Sequence, residues 1–339
     1  MEFFQILWYI LWAALWIFYF TLDGFDLGSG ILINFISKRD EEKTAITNAI
    51  GPFWDGNELW LITAVGATFA AFPTAYANMF SWFYIPFFLI IISLILRGVS
   101  IELRGKVENK KIFDFFIFIG SFIVTFLFGV AFGNLWSGVY IDNYGYTKGT
   151  LGLLNSTGIL TGIAFVVFMS MHGALYLYWK MEGEFKIRIY EISKKLWTIA
   201  TILYGVYIIF LPHAKNPNFI LNSINGYISL TCYIISGIFL LLIKKSIKKG
   251  KDFFAFIKSV LFFIFFFVAN FSSQYPNIIP SKIIEFNVSI FNSSSSYKTL
   301  KIMTIVALIF VPIVILYQIW VYKLLNHKIN PDDKETILY

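Results

Sequence analysis

Long apolar runs separated by short charged connections repeat along the whole chain. Nine runs approach the roughly 20 residues that a helix needs to cross a bilayer. They are 5–22 (with apolar character continuing to 35), 53–71, 79–97, 113–136, 151–179, 190–211, 225–243, 253–271 and 301–325. A segment in lipid must satisfy its backbone hydrogen bonds internally, and a helix does so unaided. The long alternating pattern of a membrane barrel is absent from these runs. The pattern therefore predicts an all-α, polytopic membrane protein with about nine transmembrane helices.

The connections alternate between rich and poor in basic residues. Those at 36–52, 97–112, 180–195 and 244–252, with the C-terminal tail, carry 21 of the 27 Lys and Arg, and the others five. Short cytoplasmic connections attract Lys and Arg, so the N-terminus is expected outside and the C-terminus in the cytoplasm of a bacterial inner membrane. No connection is long enough for a soluble domain, and residues 1–339 are expected to form a single transmembrane domain. The longest connection, 272–300, falls outside in this topology. Its prolines and Ser/Asn run resist regular structure. Ile278, Ile279, Ile283, Ile284 and Phe286 predict that it packs back on the bundle, while Ser293–Ser296 have the composition of a flexible linker.

Composition agrees: 58% of the 339 residues are apolar and 14% charged, against roughly a quarter charged in a soluble domain. The net charge of +7 follows topology, and no nucleic-acid partner is expected. A single cysteine, Cys232, excludes an internal disulfide. His172, His213 and His327 are the three histidines, too few for an array of metal or haem ligands, and no metal site is expected. The apolar start without a basic leader reads as a retained first helix. The aromatic run FFIFFF in the eighth span reads as lipid-facing and packing surface.

Ionisable residues within spans carry the chemistry, because a carboxylate in hydrocarbon costs about 2.5–3.5 kcal/mol or more. Asp23 and Asp26 in TLDGFDLGSG are three residues apart on one helix face, and Gly24 and Gly28 form a pair of small residues that permits close helix approach. Asp55 and Glu58 in IGPFWDGNELWLI repeat the spacing, with Asn57 between them. LRGVSIELRGK supplies Arg97, Glu102 and Arg104, and MSMHGALYLYWK supplies His172. Asp26 precedes Lys38, and Asp55 follows Lys43, by twelve residues, about 18 Å along an unbroken helix. All of these groups fall in the cytoplasmic half, as a proton uptake path requires. Other readings are open: Asp55 and Glu58 after Pro52 suit a helix N-terminus at the interface, Arg97 and Arg104 suit headgroup anchors, and His172 suits a hydrogen-bonded bundle residue.

Together these segments resemble subunit II of the cytochrome bd family. LDGFDLGSG, IGPFWDGNELWL, AFPTAYA, RGVSIELR, GVAFGNLWSGV, HGALYLYWKMEGE, YPNIIPS and NSSSSYKTLKIM occur in order between about residues 5 and 325. The resemblance implies two four-helix bundles plus one peripheral helix. It also implies a heterodimer with subunit I, which would carry haem b558, haem b595, haem d and the quinol-oxidising loop. The complex would oxidise quinol and reduce dioxygen to water with cytoplasmic protons. This chain would support assembly, bind no haem itself and contribute to the proton path, with Asp55 as the matching position and Asp23, Asp26, Glu58, Arg97 and Glu102 as further candidates. A small single-helix accessory subunit, membrane lipids and a quinone in a lipid-facing groove are further implied partners. The connection at 212–224 is shorter than in many family members. The alternative from the residues alone is a proton-coupled secondary transporter using the same acids, although the expected internal repeats are absent. A scaffold whose acids only seat the partner is a third.

Overall fold

A computed structural model describes residues 1–214 and 223–333. The chain is a bundle of long helices: α1 Glu2–Ile36, α2 Asp40–Ile50, α3 Trp54–Ala71, α4 Pro73–Trp82, α5 Tyr84–Leu103, α6 Lys111–Ser137, α7 Ser156–Lys180, α8 Gly183–Ala214, α9 Ile224–Lys248, α10 Asp252–Gln274, α11 Ile290–Ser293 and α12 Tyr297–Leu324. Eight described helices are long and apolar enough to cross a membrane. The remaining expected span, α3, has 18 residues, about 27 Å at 1.5 Å per residue. Asp55, Asn57 and Glu58 near its start make it too polar to qualify by composition.

Two element boundaries differ from the sequence expectation. The run at 79–97 is not one continuous span: Pro73 opens α4, and α5 starts afresh at Tyr84 and continues to Leu103. Pro suits a helix's first turn because it lacks the N–H that would go unbonded there. Gly51–Phe53 separate α2 from α3, so the 18 Å reckoned along one helix from Lys43 to Asp55 does not apply. From Asp26 to the basic end it does, because α1 runs unbroken to Ile36.

Helices α1, α3, α5 and α6 pack as one group and α7–α10 as a second, joined through α1 and α6 against α7. The tightest junction is at Gly28. A methyl group there would meet the Met169 carbonyl oxygen at 1.8 Å, and one at Gly173 would meet the Ser29 nitrogen at 2.3 Å. Backbones in such contact leave no room for a side chain, which explains the small residues. Gly24 has only ordinary side-chain neighbours. Helix α12 is peripheral: Leu300 is its one buried residue.

The run in α10 is mainly core, since Phe262, Phe263, Phe266 and Phe267 are all buried. Phe267 stacks on Phe20 with centroids 4.8 Å apart. The 272–300 connection is more ordered than expected. A short strand β3 (Asn277–Ile279) pairs with β4 (Val288–Ser289), below a similar hairpin of β1 (Ile141–Asp142) and β2 (Gly145–Tyr146) in chain order. Ile278 and Ile279 pack into the bundle as expected, but Ile283 and Ile284 are exposed. Ser293–Ser296 is no linker: Ser295 N–H donates to the Ala71 carbonyl, and Ser296 caps α12 by accepting from Thr299 N–H. The shortened connection at 212–224 and the side chain of His213 lie largely outside the described residues.

Candidate functional site

Each polar residue of the site is delivered by a different packing constraint. Asp23 and Asp26 lie one turn apart on α1, where the close α1–α7 crossing keeps them interior. The turn at Gly51–Phe53 starts α3 so that Asn57 and Glu58 enter the bundle within its first two turns. On α6, Gly120 lets α5 come close; a methyl group there would meet the Ser93 carbonyl at 2.7 Å and Arg97 Cβ at 3.0 Å. Arg97 is thereby seated between α1 and α3.

These five residues form two neighbouring hydrogen-bonded sets. Arg97, fully buried, donates from Nη1 to Glu58 Oε1 at 2.6 Å and from Nη2 to Asp23 Oδ1 at 3.3 Å. Asn57 Nδ2 donates to Asp26 Oδ2 at 2.6 Å and to the Leu22 carbonyl at 3.2 Å. Asp23 and Asp26 are completely buried, and Glu58 retains 17% side-chain exposure. Arg97 is thus no headgroup anchor. Desolvating a guanidinium costs several kcal/mol unless acids repay it, and two acids on separate helices do so here.

Several buried atoms in this region have no protein partner, among them Thr21 Oγ1, Asp26 Oδ1 and Arg97 Nε. Buried polar groups are ordinarily bonded to protein or ordered water, so this concentration marks a polar interior able to order water.

The remaining candidates stand apart. Glu102 is half-buried and accepts from Trp54 Nε1 at 3.2 Å. Asp55 is exposed and turned outward, its Oδ1 accepting from Gly56 N–H at 2.7 Å. The i, i+3 spacing of Asp55 and Glu58 does not bring both to Arg97. His172 is buried, with Nδ1 2.7 Å from Ser259 Oγ and Nε2 3.0 Å from the Thr21 carbonyl, as expected of a hydrogen-bonded bundle residue. The His327 carbonyl accepts from Lys180 Nζ at 3.0 Å.

A second ionic group lies at the basic end. Arg104, also buried, donates from Nε to Asp114 Oδ1 and from Nη2 to Asp40 Oδ1, each at 2.5 Å. Lys43 Nζ reaches Asp114 Oδ2 at 2.9 Å. Arg104, too, is a structural tie and not a headgroup anchor. Beside it, Glu42 accepts from Lys38 N–H at 2.6 Å and from Arg188 Nη1 at 2.7 Å. Burial alone would raise the Glu42 carboxyl, but those donors together hold it below its ordinary value of 4.5. A carboxyl depressed in the folded state stabilises above its unfolded value and loses that contribution as pH falls through the folded one. Glu42→Gln is therefore expected to lower the melting temperature at neutral pH. The gap to the parent should close on acidification below about pH 4.3. A gap independent of pH refutes the ionic contribution.

Tyr19, Gln318 and Tyr322 escaped the sequence reading. Tyr322 Oη donates to Asn57 Oδ1 at 2.8 Å. The only available signal was Gln318 and Tyr322 at i, i+4 in an otherwise apolar helix. A groove of about 540 Å³ opens between α3 and α5, lined by Leu61, Val65, Phe87 and Leu94 among others and reaching Trp54 and Glu58. Among the described residues, no group of three or more His, Cys, Asp and Glu is arranged to hold a metal ion.

Residues 4–325 match the family model described as cytochrome bd terminal oxidase subunit II. Cytochrome bd-I ubiquinol oxidase subunit 2 of Escherichia coli K12 is 32% identical, the match covering 98% of this chain and 97% of that protein. Cytochrome bd ubiquinol oxidase subunit 2 of Bacillus subtilis is also 32% identical, with 98% of each chain covered. A chain in the structure of bd oxidase from Geobacillus thermodenitrificans superposes with a TM-score of 0.77 at 14% identity, covering 96% of this chain and 100% of that one. That likeness concerns the fold.

Proposed function

Because this chain belongs to the cytochrome bd terminal oxidase subunit II family, we propose that it conducts protons from the cytoplasm towards the oxygen-reducing centre of a quinol oxidase. Asp23, Asp26, Glu58 and Arg97 form its proton-holding site. Membership makes the chain a membrane subunit of a cytochrome bd oxidase, with subunit I as its partner, and displaces the transporter alternative. The observation that carries the finer reading is the charge balance: Asp23 and Glu58 share the Arg97 guanidinium, and Asp26, one turn from Asp23, adds a third carboxyl group with no cation bonded to it; both aspartates are fully buried. Neighbouring like charges disfavour joint ionisation, which suits a cluster that takes up and releases a proton.

The basic ends of the helices face the cytoplasm in this reading, following the Lys and Arg distribution. Protons arrive through Glu58, which alone in the cluster keeps some exposure, with Glu102 nearby at the helix end. Asp55 points away from the cluster along the exposed stripe of Leu59, Ile62 and Phe69. A carboxylate on a face meant for lipid is expensive, which supports placing subunit I against this side of α3, with Asp55 at the handover. A small accessory subunit is a further partner in the same reading.

Haem b558, haem b595 and haem d belong to subunit I. Among the described residues, the buried His172 does not fit a haem, because both its ring nitrogens are already engaged. Quinol oxidation and oxygen reduction therefore take place in the partner, and this chain supplies protons.

Asp55→Asn in the two-subunit complex is expected to slow quinol-driven oxygen uptake several-fold while the haem bands of the visible spectrum keep their intensity. Full turnover in that variant removes Asp55 from the path and leaves the family membership untouched.

A further inference from the structure

We propose that Gln318 and Tyr322, on the peripheral helix, are positioning residues that orient the Asn57 carboxamide so that its amino group stays on Asp26. The inference rests on the reading of the acidic cluster as a proton site.

Helix α12 lies on the outside of the bundle, yet it is pinned at both ends. Near its start, Trp8 Nε1 donates to the Leu300 carbonyl at 3.1 Å and to Thr304 Oγ1 at 3.0 Å. Near its end, Gln318 and Tyr322 reach inward to α3. Pro312 lies between, where it removes a backbone donor from the helix. A helix needed only to fill lipid-facing surface has no use for two polar side chains one turn apart, aimed at a buried amide.

Groups that can only donate or only accept set the directions in this chain of hydrogen bonds, and the Tyr322 hydroxyl, able to do either, takes the donor role. The indole of Trp60 can only donate, and its Nε1 lies 2.8 Å from Gln318 Oε1. That leaves Gln318 Nε2 to donate, to the Gly56 carbonyl at 3.0 Å and towards Asn57 Oδ1 at 3.5 Å. Tyr322 Oη donates to the same Asn57 Oδ1 at 2.8 Å, its ring held against Phe53 with centroids 4.6 Å apart. With two donors at its oxygen, Asn57 turns its amino group to Asp26 Oδ2 at 2.6 Å. A flipped amide would set oxygen against carboxylate and amino group against amino group.

Asp26 also faces Asp23 on α1, Glu58 on α3, Arg97 on α5, Tyr176 on α7 and Tyr322 itself, with His172 one turn from Tyr176. Of these groups, the Asn57 amide is the one that donates a hydrogen bond to Asp26. Its orientation sets how many donors Asp26 has, and with it the site's affinity for a proton.

The test uses the purified two-subunit complex. Tyr322→Phe and Gln318→Ala are each expected to move the pH profile of quinol-driven oxygen uptake by about one unit, a tenfold change in proton affinity. Each should also displace the carboxyl band that Asp26→Asn deletes from infrared difference spectra, with the KM for quinol unchanged. Tyr317→Phe, an exposed neighbour on the same helix, should match the parent in both measurements. A parental pH profile and an undisplaced band in Tyr322→Phe and Gln318→Ala overturn the positioning role. A parental rate in Asp26→Asn overturns the proton-site reading itself.

Discussion

Replacing Arg97 with methionine is expected to abolish most recovery of the assembled complex from membranes. Methionine matches much of the arginine stem but leaves Asp23 and Glu58 without their shared cation. Removing one partner of a buried ion pair costs about 3–5 kcal/mol, and folded proteins hold only about 5–15 kcal/mol in reserve. The loss is one of charge balance more than of packing, which makes it reversible by design. Adding Asp23→Asn and Glu58→Gln to Arg97→Met removes the stranded charges and should restore much of the yield, measured by size-exclusion chromatography and haem absorbance of the extract. Arg97→Lys should rescue only in part, because a single ammonium cannot reproduce the fork that spans two carboxylates on different helices. Parental yield of Arg97→Met would show that the pairs at 2.6 and 3.3 Å contribute nothing to assembly.

Asp26→Asn is expected to leave assembly intact and to lower quinol-driven oxygen uptake by about a hundredfold, the low end of what loss of a positioned proton donor costs. The two effects separate because Asp26 touches Asn57 and not Arg97. Its replacement strands no cation, and the amide of the new side chain is similar in size. Haem content and the KM for quinol should stay at parental values if both belong to the partner, as proposed. Stopped-flow traces should show normal haem reduction followed by slow proton-coupled oxygen reduction. Rapid oxygen reduction in this variant would leave the acidic cluster with a structural role only. The two expected outcomes together would divide one cluster into a part that holds the helices together and a part that carries protons.

What was legible beforehand differs from residue to residue. Asp23, Asp26, Glu58 and Arg97 stood out because each is costly where its helix places it. Their separation into an Arg97 group and an Asn57 group did not, since spacing gives a face and not a partner. Asp55 illustrates the limit: three residues from Glu58, it points outward, while Glu58 turns to Arg97. Arg104 suited a headgroup anchor and is instead buried in a pair with Asp114 at 2.5 Å. Ser293–Ser296 looked like a linker and instead fastens α12. In the FFIFFF run, composition suggested a lipid-facing and packing surface, and packing dominates: Phe20 of α1, Trp136 of α6, and Phe165 and Phe168 of α7 lie against its rings.

The amino-acid order alone determined the membrane class, the helical architecture, the alternation of basic connections and the family, because these depend on free energies of transfer and on local patterns that each segment carries with it. Tertiary structure decided which buried charges became partners and how the peripheral helix returns to the site. Asn57 and Tyr322 are 265 residues apart in sequence and 2.8 Å apart in space. No local pattern encodes such a contact, because its energy exists only once two distant helices have packed and excluded water from between them.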